Sequence, residues 1–178
     1  MSIHAEHPFL PSDGQRDPLR RLRGRLPAAV SVWTTESGGR QAGWTLSSFL
    51  LADGEPAELL GLLDEESELA DLLAASGTVA VSLLGWQHRF LADAFAGLAP
   101  APGGPFRLAA WTPTPWGPVL DGAVGWVGAR LSHPLDTHAG WGLLVRATVE
   151  QVVLDAADAA VLTSVRGRYR PDGEPSEA

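Results

Sequence analysis

The stretch Gly43-Trp44-Thr45-Leu46-Ser47-Ser48-Phe49 brings three hydroxyl side chains together at the end of a predicted strand. The segment before it, residues 29–35, is rich in β-branched and aromatic residues and predicts a partner strand. Between them, residues 36–40 contain the paired glycines typical of a tight hairpin turn. Hydroxyls beside a glycine at a strand end either hold an anion such as phosphate or cap a turn. The stretch therefore predicts a β-hairpin, and both interpretations of its hydroxyls stay open.

Length and composition indicate one globular domain without cysteine chemistry. The chain has 178 residues, of which 45% are hydrophobic and 19% charged, which suffices for a sizeable core. The absence of Cys excludes disulfides, thiolate nucleophiles, iron–sulfur clusters and Cys-ligated zinc. No apolar run reaches the length of a membrane span and no N-terminal signal pattern is visible, so we expect a cytoplasmic protein without a membrane partner.

The charged residues narrow the function further. All 13 basic residues are Arg, so Schiff-base chemistry and the lysine of a P-loop are excluded. The net charge of −8 argues against nucleic-acid binding, which needs basic surface. Five Arg lie between Arg16 and Arg25, where a solvated helix face explains them most simply and phosphate or partner binding is the alternative.

Periodicity and turn residues predict the remaining elements. A flexible arm over residues 1–15 is expected to precede a single domain over residues 16–170, and a disordered tail over residues 171–178 to follow it. Within the domain, in chain order, we expect a helix over residues 18–25 capped by Asp17, a turn over 50–56, a strand over 59–63, a helix over 67–75, a strand over 78–84, a helix over 87–96, loops over 100–105 and 113–118, strands over 123–132 and 142–154, a turn or short helix over 156–160, and a last segment over 161–170.

The segments 59–63 and 87–96 need a closer description. The apolar run 59–63 fits a buried strand or part of a helix by periodicity alone. The helix over residues 87–96 is expected to place Phe90, Leu91, Ala94 and Phe95 on one apolar face. The element order lacks regular strand–helix alternation and contains no G-x-G-x-x-G, so it favours an antiparallel β-barrel with inserted helices over a doubly wound sheet.

The quoted stretch, read with two later motifs, resembles the flavin reductase-like family, whose fold is the FMN-binding split β-barrel. The first motif is Gly-x-Thr-x-Ser-Ser-Phe after a Gly-rich hairpin. The second is Leu63-Asp64-Glu65-Glu66-Ser67, a strand, a turn and a helix start. The third is Gly117-Pro118-Val119-Leu120-Asp121-Gly122-Ala123 ahead of a long strand. The resemblance extends from about residue 27 to residue 170, and following it we take residues 59–63 as a strand.

The resemblance implies a flavin site without a catalytic acid or base and without a metal. Flavin contacts are expected from Thr45, Leu46, Ser47, Ser48, Asp64, Ser67, Trp141, Arg168 and Tyr169. The hydroxyl stretch would hold the isoalloxazine edge and the phosphate, and the helix start at Ser67 would close the site through its free N–H groups and dipole. Trp141 could stack on a ring, and Arg168 could bind phosphate as a planar cation.

Two positions depart from the family pattern. Glu65 and Glu66 stand where the family usually has Arg and Ser, and two carboxylates repel a phosphate unless they are paired or point into solvent. The family's Gly-Asp-His aligns with Ala139-Gly140-Trp141, so that His138 falls three residues early.

The activity that the resemblance implies is reduction of FMN or FAD by NADH or NADPH, with hydride passing from the nicotinamide to flavin N5. It further implies a homodimer with flavin sites at the subunit interface, and a partner monooxygenase that receives reduced flavin. The alternatives are a flavin-binding module without reductase activity and a barrel that has lost its cofactor. A serine hydrolase lacks support, because no Gly-x-Ser-x-Gly elbow is present.

Overall fold

The structure is a computed structural model that describes residues 18–155 and 159–172. The strands of these residues are β1 (Ala28–Ala29), β2 (Ser31–Ser37), β3 (Arg40–Leu46), β4 (Phe49–Ala52), β5 (Glu58–Leu63), β6 (Thr78–Leu83), β7 (Trp111–Thr112), β8 (Val119–Leu120), β9 (Gly125–Leu131), β10 (His138–Ala139), β11 (Gly142–Leu154), β12 (Leu162–Val165) and β13 (Arg168–Pro171). The α-helices are α1 (Pro18–Arg23), α2 (Glu68–Ser76) and α3 (Arg89–Phe95), with 3₁₀ turns at Trp86–His88 and Pro105–Leu108.

Eight strands form one curled antiparallel sheet that confirms the predicted barrel-like, mainly-β fold. Their order is β3-β2-β6-β9-β11-β5-β4, with β10 paired to β11. Strand β3 also contacts β5, so the sheet curls back towards itself around its apolar side. Two smaller sheets, β1-β12-β13 and β7-β8, flank it.

The core has two parts. The main part lies inside the curled sheet, where Trp33, Leu59, Leu63 and Val145 are fully buried and α2 covers them with one apolar face. The second part lies where α3 meets the small three-stranded sheet; its buried members are Val30, Val32, Leu84, Leu91, Ala92, Phe95, Leu120, Ala123 and Leu162. Burial of apolar side chains is the main favourable term in folding, so the residues of both clusters fix how the sheets and helices pack.

The predicted hairpin and the predicted helix after residue 66 are both confirmed. Strands β2 and β3 pair from Ser31↔Leu46 to Ser37↔Arg40, and the turn residues Gly38 and Gly39 have φ of 59° and 77°. Positive φ at both central positions is the type I′ pattern that suits two paired strands. Helix α2 has Ser67 as its N-cap and Gly77, at φ 70°, as its C-cap.

The predicted turn over residues 50–56 is wrong in its first half. Residues 49–52 form strand β4, which pairs with β5 in the register Leu50↔Leu60 and Leu51↔Leu59. The turn is confined to residues 53–56. The Asp-Gly and Pro signals are local, whereas the strand is specified by pairing with a segment farther along the chain, which overrides them.

The face predicted for the third helix also needs correction. A 3₁₀ turn opens the segment, α3 runs from Arg89, and its buried side chains are Leu91, Ala92, Ala94 and Phe95. Phe90 is exposed, and the Arg89 guanidinium lies 4.6 Å from its ring centroid. Cation–π contact with Arg89 gives this ring a partner without burial.

The ends of several predicted segments are adjusted by strand pairing. The last segment is a hairpin of β12 and β13 around Arg166 and Gly167, both at positive φ. Strand β13 includes Pro171, which the sequence assigns to the tail. The predicted arm over residues 1–15, the cap Asp17, most of the turn over 156–160 and the end of the tail lie outside the described residues.

Candidate functional site

Three segments that are distant in sequence meet at the carboxyl end of β5. The Leu62 amide donates to the Ser48 carbonyl at 3.0 Å, which brings the β3–β4 connection beside this strand. The turn 64–67 follows β5 directly. Leu63 pairs with Leu143, so that the β10–β11 hairpin lies on the other side. The first and second sequence motifs and the position of the missing family His are therefore neighbours in the fold.

Ser47 and Ser48 supply open hydroxyls at this end of the sheet. Both residues are exposed in the two-residue connection between β3 and β4. Within the described part of the chain, neither side chain has a hydrogen-bond partner. The connection cannot shift freely, because Leu46 precedes it in the core and the Ser48 carbonyl is bonded to β5. Because the two serine hydroxyls are held in place and have no hydrogen-bond partner among the described residues, each can donate to an anionic oxygen.

Thr45 and Leu46 are positioned differently from the two serines. The Thr45 hydroxyl donates to the Ala92 carbonyl at 2.7 Å and so fastens β3 to α3. Leu46 is buried in the main core, and its carbonyl accepts from the Ser31 hydroxyl at 3.0 Å. Both residues hold the connection in place. The Thr45 hydroxyl and the Leu46 carbonyl already have hydrogen-bond partners within the protein.

The turn 64–67 is organised by its own hydrogen bonds. The Ser67 hydroxyl donates to the Asp64 carbonyl at 2.6 Å and accepts from the Ala70 amide at 3.2 Å. An Asp64 carboxylate oxygen accepts from the Glu66 amide at 3.0 Å. Ser67 is thus an N-cap, and the next amides of α2, those of Glu68 and Leu69, belong to the first turn, where a helix has no internal acceptor for them. An anion at this helix end would meet amides rather than the Ser67 hydroxyl.

Two of the acidic residues at this turn and at the start of α2 have side-chain partners on other elements. The Glu65 carboxylate lies 2.9 Å from His138 Nε2. Glu68, at the start of α2, lies 3.5 Å from Arg40. Asp64 and Glu66 remain exposed to solvent, which screens their charges. The repulsion expected from Glu65 and Glu66 is therefore reduced by pairing in the first case and by exposure in the second.

Trp141 lies at the tip of the β10–β11 hairpin. Gly140, at φ 63°, and Trp141 form the two-residue turn between Ala139 and Gly142, and the indole is fully exposed. Trp44 is packed against the main core, and Trp86 is stacked against Arg89, 4.7 Å from its guanidinium carbon. Of these three tryptophans, Trp141 alone presents an open ring beside the turn 64–67.

Arg168 and Tyr169 belong to a different part of the fold. Both lie on β13 in the small three-stranded sheet, and Tyr169 packs against the second core cluster. Its hydroxyl hydrogen-bonds Asp93 of α3. Asp93 follows Ala92, the acceptor for Thr45, so α3 is the link between this sheet and the hydroxyl stretch. Neither of these two contacts to α3 is predictable from the sequence, because no motif marks a backbone carbonyl or a lone carboxylate as a partner.

Burial and the Asp93 carboxylate together raise the pKa of Tyr169 to about 12. The chain has one Tyr, no Lys and no Cys, so Tyr169 dominates side-chain titration above pH 9. A raised pKa stabilises the fold below the unfolded value near 10, and this contribution is lost as the pH rises towards 12.

We therefore expect ultraviolet tyrosinate absorbance to rise in a single step with a midpoint near pH 12 in the folded protein and about 10 in urea. Asp93→Asn should lower the folded midpoint, because it removes the negative charge beside the phenol. Coinciding midpoints in the folded and unfolded chains would contradict the Asp93 contact.

The donors at the carboxyl end of β5 fit the phosphate end of a flavin nucleotide. They combine two open serine hydroxyls with the first amides of a helix, and the hairpin that carries the exposed Trp141 indole lies on the other side of β5. Among the described residues, no cluster of His, Asp and Glu could hold a metal ion. No helix in that part of the chain has the length and apolar composition needed to cross a membrane.

Comparison with known proteins gives a consistent family. The model of the flavin reductase like domain matches residues 23–172. The FMN reductase (NADH) RutF of Ancylobacter novellus is 36% identical over 110 residues, which cover 61% of this chain and 60% of that protein. The matched region thus spans less than two thirds of this relative's length.

Solved structures share the fold. The NADH:FAD oxidoreductase of Streptomyces globisporus C-1027 superposes with a TM-score of 0.77 at 25% identity, covering 88% of this chain and 92% of that one. The styrene monooxygenase flavin reductase of Pseudomonas putida S12 superposes with a TM-score of 0.75 at 22% identity, covering 88% and 99%.

Proposed function

This chain belongs to the flavin reductase-like domain family, and we propose that it is an NADH-dependent flavin reductase acting on FMN. The observation that carries the proposal is the meeting of Ser47-Ser48, the turn 64–67 and the Trp141 hairpin at one end of β5. The names of the relatives support the same activity, since one is an FMN reductase (NADH) and one an NADH:FAD oxidoreductase.

The chain's own residues have binding and positioning roles in this proposal. The hydroxyls of Ser47 and Ser48 donate to phosphate oxygens, and the first amides of α2 complete the anion site with the helix dipole. Ser67 holds those amides in place as the N-cap, and Asp64 orders the turn through the Glu66 amide. Bound flavin supplies the hydride-accepting chemistry, so no general acid or base is required of the protein.

The proposal extends to assembly. Apolar side chains remain exposed on edge strand β4, at Leu50 and Leu51, and on the end of β11, at Val152 and Leu154. Exposed apolar side chains on strand edges and strand ends are candidates for protein–protein contact. We take these strands as the subunit interface of a homodimer, with β4 bringing the partner close to Ser47 and Ser48.

We also propose a protein partner that receives the reduced flavin. A monooxygenase that consumes reduced flavin fits the styrene monooxygenase flavin reductase among the similar structures. FAD stays open as an alternative to FMN and NADPH as an alternative to NADH, and a cytoplasmic location remains a prediction from the sequence.

The test is the steady-state oxidation of NADH by the purified chain with and without added FMN. NADH consumption that rises with FMN and saturates is the expected result, and NADPH in parallel assays reports the nucleotide preference. If the protein binds flavin but does not consume NADH, it is a flavin-binding module and not a reductase. Sedimentation at several protein concentrations tests the dimer, for which a monomer at all concentrations would be the contrary result.

A further inference from the structure

The side-chain contact between His138 and Glu65 joins the β10–β11 hairpin to the turn 64–67, which are 73 residues apart in the sequence. His138 Nε2 lies 2.9 Å from the Glu65 carboxylate, and the two side chains are 40% and 66% exposed. Glu65 belongs to the turn before α2, and His138 opens the hairpin that carries Trp141. Neither residue is explained by the core, since both are exposed.

Besides this contact, the hairpin is held by the pairing of β10 with β11 and by the Leu144 amide, which donates to the Thr137 carbonyl at 2.8 Å. Strand β10 contributes only the pairs His138↔Leu143 and Ala139↔Gly142, and residues 136–141 are all exposed. Leu135 anchors the base by packing against the main core. Within the described residues, the His138–Glu65 contact is the side-chain hydrogen bond that ties this hairpin to the turn 64–67.

The turn at the tip places Trp141 at its second central position, outside the core. Gly140 has φ 63° and Trp141 follows at negative φ, the pattern of a type II′ turn, in which glycine takes the first central position. A fully exposed Trp is costly to hydrate, and it gains most from a flat apolar partner. Trp141 is therefore a surface residue whose ring is available for stacking, and it is not part of the core.

We propose that His138 and Glu65 are positioning residues that clamp the hairpin so that Trp141 offers a stacking face to a planar heterocycle at the flavin site. The proposal rests on the proposed function for the identity of that heterocycle, which is the isoalloxazine ring or the nicotinamide ring. Both rings present the same flat π-surface to the indole. In this arrangement Glu65 serves the site through His138 instead of opposing the phosphate.

The test combines amide hydrogen exchange in the free protein with equilibrium titrations of FMN and of NAD⁺. His138→Ala is expected to speed exchange at residues 138–144 and to weaken binding of the stacked ligand, each about three- to fivefold, the upper part of the range measured for exposed side-chain pairs. His138→Arg keeps an N–H donor opposite the Glu65 carboxylate and should keep wild-type values. His133→Ala is the matched control, because His133 is an exposed histidine of the same connection.

The Trp141→Ala background decides whether the pair acts through the ring. Trp141→Ala should weaken the same ligand, and adding His138→Ala to it should produce no further loss of affinity, since residues acting through one contact are non-additive. Weakened FMN identifies the isoalloxazine as the stacked ring, and weakened NAD⁺ identifies the nicotinamide. Additive losses would overturn the proposed route through Trp141.

Failure of the inference is distinguishable from failure of the proposed function. Wild-type protein that binds FMN while His138→Ala changes neither exchange nor affinity overturns the clamp and leaves the reductase intact. Wild-type protein that binds neither FMN nor NAD⁺ overturns the proposed function and the stacking role together.

Discussion

Replacing Ser47 and Ser48 together by aspartate is expected to abolish FMN binding. Both hydroxyls are exposed, unpartnered within the described chain and held at the carboxyl end of β5. The change removes two donors and sets two carboxylates against a phosphate group. Repulsion between close charges at a protein surface is about 1 to 4 kcal/mol per pair, so the dissociation constant should rise by roughly a hundredfold or more.

The measurement is a fluorescence titration of FMN with each protein. Ser47→Asn/Ser48→Asn is the matched control, because asparagine has nearly the size of aspartate without its charge. We expect this control to lose about tenfold or less, as two neutral donors remain available. The free energy of unfolding should change little in either variant, since the side chains contact solvent. Equal FMN affinity in the aspartate variant and the wild type would remove these serines from the site.

Replacing Gly61 by alanine is expected to destabilise the fold by about 2 to 3 kcal/mol, the cost of overpacking a core. A Cβ at this position of β5 would overlap the Trp33 ring, which is fully buried. The ring has little freedom to yield, because its Nε1 donates to Ser31 at 3.1 Å and Phe49 packs edge-on at 6.3 Å. Glycine is thus required at position 61 because the Trp33 ring packs directly against the backbone there. Gly61 lies two residues before Leu63, the last residue of β5 at the site.

Thermal unfolding of the purified variant gives the measurement, with a melting temperature lower by roughly 5 to 10 °C. Gly24→Ala is the control, since the nearest atom to its added methyl, the Arg20 carbonyl oxygen, is at an ordinary 3.5 Å. Trp33→Phe should partly rescue Gly61→Ala, so that the double variant is more stable than the sum of the single changes predicts. A Gly61→Ala protein as stable as wild type would contradict the packing of Trp33 against β5.

The sequence predicts the parts of this fold that local rules determine. The Gly38-Gly39 turn follows from the need for positive φ, and α2 follows from Ser67 and Gly77 at its two ends. Strand β11 matches its predicted bounds because its long, partly alternating pattern has no competing signal. In these places a few neighbouring residues decide the structure.

The parts that sequence analysis misses depend on distant partners. Strand β4 exists because β5 pairs with it, whatever the turn signals after Leu51 indicate. Glu65 contacts a histidine on the β10–β11 hairpin, and the Thr45 hydroxyl donates to a carbonyl of α3. A motif therefore identifies which segments meet at the site, while the partner of each side chain emerges only from the fold.

The most direct test of the account is the visible absorption spectrum of the purified chain after incubation with FMN and removal of free flavin. We expect a flavin band that remains with the protein, or saturable FMN binding where the complex dissociates during removal, and loss of either in Ser47→Asp/Ser48→Asp. A colourless wild-type protein that shows no FMN binding by titration would contradict the flavin site at the carboxyl end of β5.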